Sequence, residues 1–169
     1  MHSDRLYFAY GSNMSSARLR SRLPQALKIG TAELIGYELI FNKVGQDGSA
    51  KANARRTGNE RDVIWGVIYE LPEDGLAKLD EIEGDGYQRR TLAVYKKHQR
   101  LEVQSFIASR TDDNLLPFAW YVQHVLSGAM ENNLPQRQID FIAAVKAVAD
   151  PDMLRAEKEM QLHRRLPQP

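Results

Sequence analysis

The sequence contains no cysteine. Disulfides, thiolate nucleophiles and zinc–thiolate sites are therefore excluded. Neither sign of charge is in excess: 23 Lys and Arg stand against 22 Asp and Glu, a formal net charge of +1. That balance gives no electrostatic case for a nucleic-acid or membrane partner. No apolar run approaches the length of a bilayer span. The opening stretch MHSDRLYFAYGS lacks the apolar core of a signal peptide, so a cytoplasmic location is the expectation. His2, His98, His124 and His163 lie at no metal-ligand spacing and are read as surface or helix-face residues. The Gly-rich and P-loop nucleotide patterns are absent, so no nucleotide site is expected. The short basic tail LHRRLPQP is read as a frayed terminus.

The 169 residues are 43% hydrophobic and 27% charged, ordinary for a globular chain. A single domain over 1–169 is expected, with a core over about 5–145 and a helical tail after it. Residues 5–10 read as a strand and 15–23 as a short helix capped by Ser15 or Ser16. Residues 28–44 hold two apolar, β-rich runs split at Gly36, hence one or two strands. Residues 45–62 are polar and Gly-rich, mostly loop, with SAKANA as a short strand edge and ARRTGNER as a solvated loop. VIWGVIYEL (63–71) is apolar on both faces and reads as a central strand. A helix over 72–84, a hairpin over 87–97 and 100–109, and three helices after Pro117 complete the reading. Strands first and helices last predict an α+β fold, a mixed or barrel-like sheet with C-terminal helices against it.

Two stretches carry chemistry. In YFAYGSNM (7–14) a strand breaks at Gly11 into a polar loop ahead of a helix. Gly11 permits backbone angles closed to other residues, and Ser12 and Asn13 are turn and cap formers. The alternatives are a plain connection and an anion site built from loop N–H groups. In LAKLDEIEG (76–84), about 100° per residue puts Leu76, Leu79 and Ile82 on one stripe. Glu83 falls between Leu76 and Leu79, while Glu81 faces solvent and Asp80 sits at the margin. If the helix persists to its end, Glu83 points at the core or at a cavity in it. Burial and the negative helix end would then raise its pKa, as acid–base chemistry requires. If the helix frays at Ile82, Glu83 is a surface residue.

YFAYGSNM, VIWGVIYEL, LDEIEG (79–84) and GAMENNLPQ (128–136) together resemble the γ-glutamylcyclotransferase, AIG2-like family over roughly residues 5–145. GAMENNLP resembles the branch acting on γ-glutamyl amino acids more than the shorter branch acting on γ-glutamylamines. The resemblance implies a small mixed β-barrel flanked by helices, with the loop and the acidic helix end lining its cavity. It implies that a γ-glutamyl substrate's α-amine attacks its own γ-carbonyl, leaving 5-oxoproline, with no cofactor. Glu83 matches the family's catalytic glutamate. Tyr10, Gly11, Ser12 and Asn13 match its substrate loop, and Tyr121 falls where a cavity tyrosine is placed. Tyr87 follows Glu83 by only four residues, across a tight GDG turn that would widen or narrow access.

Three functions are consistent with these residues: a γ-glutamylcyclotransferase, a related enzyme that takes γ-glutamylamines or γ-glutamylated metabolites, and a non-catalytic module on the same scaffold. The partner expected is a small molecule. A homodimer is the reference expectation for assembly, with no exposed apolar face identifiable to carry it.

Overall fold

The computed structural model describes residues 5–164. His2 and the last residues of the basic tail lie outside them. Among the described residues seven strands run in chain order: β1 (Leu6–Ala9), β2 (Leu27–Ile35), β3 (Tyr37–Val44), β4 (Ala50–Arg56), β5 (Val63–Glu70), β6 (Tyr87–Lys96) and β7 (Gln99–Ala108). Five helices accompany them: α1 (Ser16–Arg22), α2 (Gly75–Glu83), α3 (Ala119–Glu131), α4 (Gln136–Ala143) and α5 (Met153–Arg164). The fold is α+β.

Five strands close a barrel in the order β1-β5-β2-β6-β7. Every pair is antiparallel except the seam, where β1 meets β7 in parallel at Tyr7 and Gln104. β5 lies between β1 and β2, as its two apolar faces predict. Ile64, Val67 and Ile68 are fully buried, each contributing about 1.5–3 kcal/mol of apolar burial. The β6–β7 hairpin turns at Lys97 and His98, whose φ angles are 47° and 68°. Two successive positive φ values are the pattern of a tight primed turn.

β3 and β4 form a separate two-stranded ribbon. The chain leaves the barrel at Gly36, with φ 83°, a conformation open to glycine. Its N–H donates to the Asp62 carbonyl at 2.8 Å, and its carbonyl accepts from Thr57 and Gly58. The ribbon bears out SAKANA as a strand and extends it to Arg56, with the rest of 45–62 outside any strand. β4 is a seven-residue strand paired with β3 along its length, and its buried face is alanine: Ala50, Ala52 and Ala54.

Helix ends also differ from expectation. α2 starts at Gly75 rather than Pro72, yet it persists to Glu83 and stops at Gly84, with φ 64°. Ile82 is 40% exposed, so the apolar stripe ends a turn early. α1 is capped by Ser15, whose side chain accepts the Arg18 N–H at 3.3 Å. α4 ends at Ala143. The following segment instead pairs Val148 with Phe118. α5 runs to Arg164, so the first residues of the basic tail are helical. No described helix is long and apolar enough to cross a membrane.

Candidate active site

β1 delivers the chain to a 3₁₀ turn over Ser12–Met14, and α3 packs against that turn. Gly128 makes the approach possible: a Cβ there would sit 2.5 Å from the Ser15 nitrogen and 2.6 Å from the Met14 carbonyl carbon. The turn, the end of α2, the β3–β4 ribbon, α3 and α5 enclose a cavity of about 400 Å³. Glu83, Tyr10, Gly11, Ser12, Asn13, Tyr87 and Tyr121 all line it. A second cavity, lined by Tyr37, Trp65, Gln138 and Phe141 among others, contains none of them.

The need for glycine at position 11 is spatial. Its φ is −114° and its ψ −139°, and its neighbours leave no space for a side chain. A Cβ there would lie 3.0 Å from the Ala52 Cβ and 3.3 Å from the Tyr121 hydroxyl. The N–H groups of Gly11, Ser12 and Asn13 donate to no acceptor among the described residues, which leaves three amide donors beside the cavity.

Glu83 stands on the cavity wall with its side chain 19% exposed. Asn13 Nδ2 donates to Glu83 Oε1 at 3.3 Å and to the Tyr7 hydroxyl at 3.1 Å. Arg22 Nη1 donates to the same Glu83 oxygen at 3.4 Å and to Asn13 Oδ1 at 3.1 Å. Both hydrogen-bonding ends of the Asn13 amide are thus used, which fixes its orientation against the carboxylate. The loop and the acidic helix end are joined through this one side chain.

Four tyrosines crowd the cavity. Burial pushes the Tyr7, Tyr10, Tyr87 and Tyr121 hydroxyls above the ordinary phenol range, and the Glu83 charge pushes the same way. They stay neutral and act as hydrogen-bonding groups. Tyr10 donates to the Phe106 carbonyl. Tyr87 donates to the Ala52 carbonyl, and Tyr121 accepts the Ala52 N–H at 2.9 Å. Ala52 is therefore held by a tyrosine at each end of its backbone, which pins the ribbon across the cavity. The GDG turn packs closely against the ribbon and the loop after it here. A Cβ at Gly84 would lie 2.7 Å from Gln46 Nε2, and one at Gly86 would lie 2.6 Å from Lys43 Cε.

The charged lining was not foreseen from sequence. Lys51 pairs with Asp47 at 2.7 Å and lies over the Trp120 and Tyr121 rings at 4.8 Å. Arg18 donates to Ser12 Oγ at 3.0 Å and pairs with Glu159 of α5. Glu159 also meets His124 Nε2 at 2.8 Å, and His124 Nδ1 meets His163 Nε2 at 2.7 Å. His124, expected on a surface or helix face, is fully buried. Desolvation, with Arg18 and His163 nearby, takes its pKa down to about 4. Glu159 is held near 2 by its bonds to His124 and Arg18, against the upward pull of burial. At neutral pH the pair is a neutral imidazole donating from Nε2 to a carboxylate. Among the described residues no group of three or more His, Asp or Glu side chains has metal-ligand geometry.

A closed barrel whose cavity joins three amide donors, a tethered carboxylate and neutral phenols defines a site for a small polar molecule. A family model described as "Gamma-glutamyl cyclotransferase, AIG2-like" matches residues 7–122, and the chain belongs to that family. Gamma-glutamylcyclotransferase of Mus musculus is 27% identical over 152 residues, covering 83% of this chain and 78% of its own. The Bos taurus protein of that name is 29% identical over 136 residues, covering 77% of this chain and 72% of its own. A solved structure titled "Gamma-glutamyl cyclotransferase" superimposes with a TM-score of 0.83 at 24% identity, over 94% of this chain and 98% of that one. That likeness shows the same fold.

Proposed function

We propose that the protein is a γ-glutamylcyclotransferase in which Glu83 moves the protons. The observation that carries the reading is the pairing of Glu83 with Asn13 at 3.3 Å. It sets a carboxylate beside the unengaged N–H groups of the Gly11–Asn13 loop.

The chemistry follows from the substrate. A γ-glutamyl α-ammonium has no lone pair for attack until a base takes its proton. Glu83 accepts that proton, and the amine adds to the γ-carbonyl of the same molecule. The loop N–H groups bind an anionic oxygen of the glutamyl unit, either its carboxylate or the oxyanion forming on the γ-carbonyl. Glu83 then returns the proton to the leaving nitrogen as its bond to carbon breaks. The products are 5-oxoproline and a free amine or amino acid. Ring closure is intramolecular, so a cavity that folds the chain into the attacking conformation supplies much of the rate. Tyr10, Tyr87 and Tyr121 shape that fold as neutral walls. The reaction needs no cofactor.

Incubation with γ-glutamyl-alanine tests the reading, with 5-oxoproline and alanine as the readout. Wild-type protein releases both in equal amounts. Glu83→Gln reduces release by about 10²–10⁴-fold with the thermal transition retained. Full activity in Glu83→Gln overturns the mechanism.

A further inference from the structure

Five cationic side chains line the cavity: Arg18, Arg22, Lys43, Lys51 and Arg155. Among the described residues two of them bond side chains of the Gly11–Asn13 loop. Arg22 donates to Asn13, and Arg18 donates from Nε to Ser12 Oγ at 3.0 Å. Arg22 is also tied to Glu83. Arg18 is tied instead to α5, a helix with no part in the reaction as derived above.

α5 turns one polar stripe toward the site. Arg155, Glu159 and His163 recur every fourth residue and therefore share a face. Each has a partner off the helix. Arg155 bonds Asp150, which also accepts the Trp120 Nε1–H at 2.8 Å. Glu159 takes Arg18 and His124, and His163 meets His124. Of the α5 side chains, Ala156 and Met160 add apolar packing against the core.

Glu159 is the contact whose effect reaches the loop. Its two partners, Arg18 Nη1 and His124 Nε2, bond the same oxygen, Oε2. The Arg18 side chain is 8% exposed and its guanidinium lies 5.5 Å from the centroid of the Trp120 ring. A guanidinium is planar and rigid, so a carboxylate that fixes Nη1 also fixes Nε and its bond to Ser12. Ser12 Oγ accepts that bond, which leaves the hydroxyl its own proton to donate. Ser12 is buried and lines the cavity. Without Arg18 its hydroxyl would be free to rotate.

We infer that Glu159 is a positioning residue for catalysis: acting through Arg18, it sets the Ser12 hydroxyl as a hydrogen-bond donor to the bound glutamyl unit. This rests on the cyclotransferase reading above. α5, whose Glu159 stands 141 residues beyond Arg18 in the chain, thereby belongs to the working parts of the site.

A double-mutant cycle on γ-glutamyl-alanine turnover tests the inference, run below the melting temperature of every variant. Ser12→Ala and Glu159→Ala each lower kcat/KM by about tenfold. Combined, they cost little more than either alone, whereas independent effects would multiply to about a hundredfold. Glu159→Gln keeps an oxygen for both donors and retains kcat/KM to within about threefold. Glu159→Ala leaves a buried guanidinium unpaired, so a second variant removes the pair together: Arg18→Met with Glu159→Met loses as much activity as Glu159→Ala. Multiplicative losses in the Ser12→Ala, Glu159→Ala protein overturn the inference. So does wild-type kcat/KM in Glu159→Ala or in the Arg18→Met, Glu159→Met protein. Wild-type protein that releases no 5-oxoproline fails the cyclotransferase reading itself, a result distinct from either of these.

Discussion

Arg22 and Asn13 share one oxygen of Glu83, at 3.4 and 3.3 Å, and are bonded to each other at 3.1 Å. The last turn of α1 and the last turn of α2 therefore meet through a three-membered polar cluster at the cavity wall. Arg22→Met removes the guanidinium while keeping much of its volume. The expected result is a fall in kcat of about tenfold with little change in KM, since Arg22 positions the proton carrier. The pair is about a fifth exposed on each side, so the loss in stability stays within about 1 kcal/mol by urea denaturation. An unchanged kcat removes Arg22 from the site.

Tyr121 reads differently. Its hydroxyl accepts the Ala52 N–H in a fully buried place. Tyr121→Phe leaves that N–H without an acceptor, which costs about 1–3 kcal/mol. Urea unfolding should show this loss, together with lower turnover as the ribbon loosens. No measurable change in stability would mean that the ribbon finds another acceptor.

Gly128 sits against the Ser12–Met14 turn with no room for a methyl group. Gly128→Ala therefore displaces α3 from that turn, at about 1–3 kcal/mol of overpacking strain. Because the same turn carries the amide donors, kcat/KM should fall along with the melting temperature. A stable and fully active Gly128→Ala protein contradicts the packing described here.

The His124–Glu159 contact makes stability depend on pH, and the sign is determined. His124 ionises near 4 in the folded protein, against an ordinary 6.5. Between those values the unfolded chain binds the proton and the folded one does not, so stability falls as pH drops from about 6.5 to about 4. The loss amounts to about 3 kcal/mol at the acid end. Glu159 ionises near 2 against an ordinary 4.5, so its share is present above 4.5 and is lost below it. Melting temperatures at pH 7, 5.5 and 4.5 should decline in that order. His124→Phe should flatten the slope above pH 5.

Much of the architecture was legible in the residues. VIWGVIYEL is apolar on both faces, and only a strand with neighbours on both edges satisfies that. The hairpin strands and the helix ending at Gly84 carried ordinary signals, and the period placed Glu83 on the inward side. β4 was legible only as the short edge SAKANA. Its buried residues are Ala50, Ala52 and Ala54, which lack the branched or aromatic character of a strand. Ala52 lines the cavity, and two tyrosine hydroxyls bond its backbone. The charged lining was hidden for another reason. Arg22 lies on a helix rich in arginine, and Lys43 lies on a strand among polar neighbours. Nothing local distinguishes either from a solvated side chain. Only the meeting of α1, α2 and the ribbon in space does so.

The parallel seam between Tyr7 and Gln104 has a consequence for how the chain acquires its chemistry. The first strand and the last strand of the barrel are neighbours, so the ring stays open until nearly a hundred intervening residues have been threaded into place. Long-range closure of this kind is slow. The turn after β1 belongs to that seam. A nascent or partly refolded molecule would thus possess its acidic helix and its central strand well before it possessed a working pocket, and catalytic competence would be among the last properties to appear.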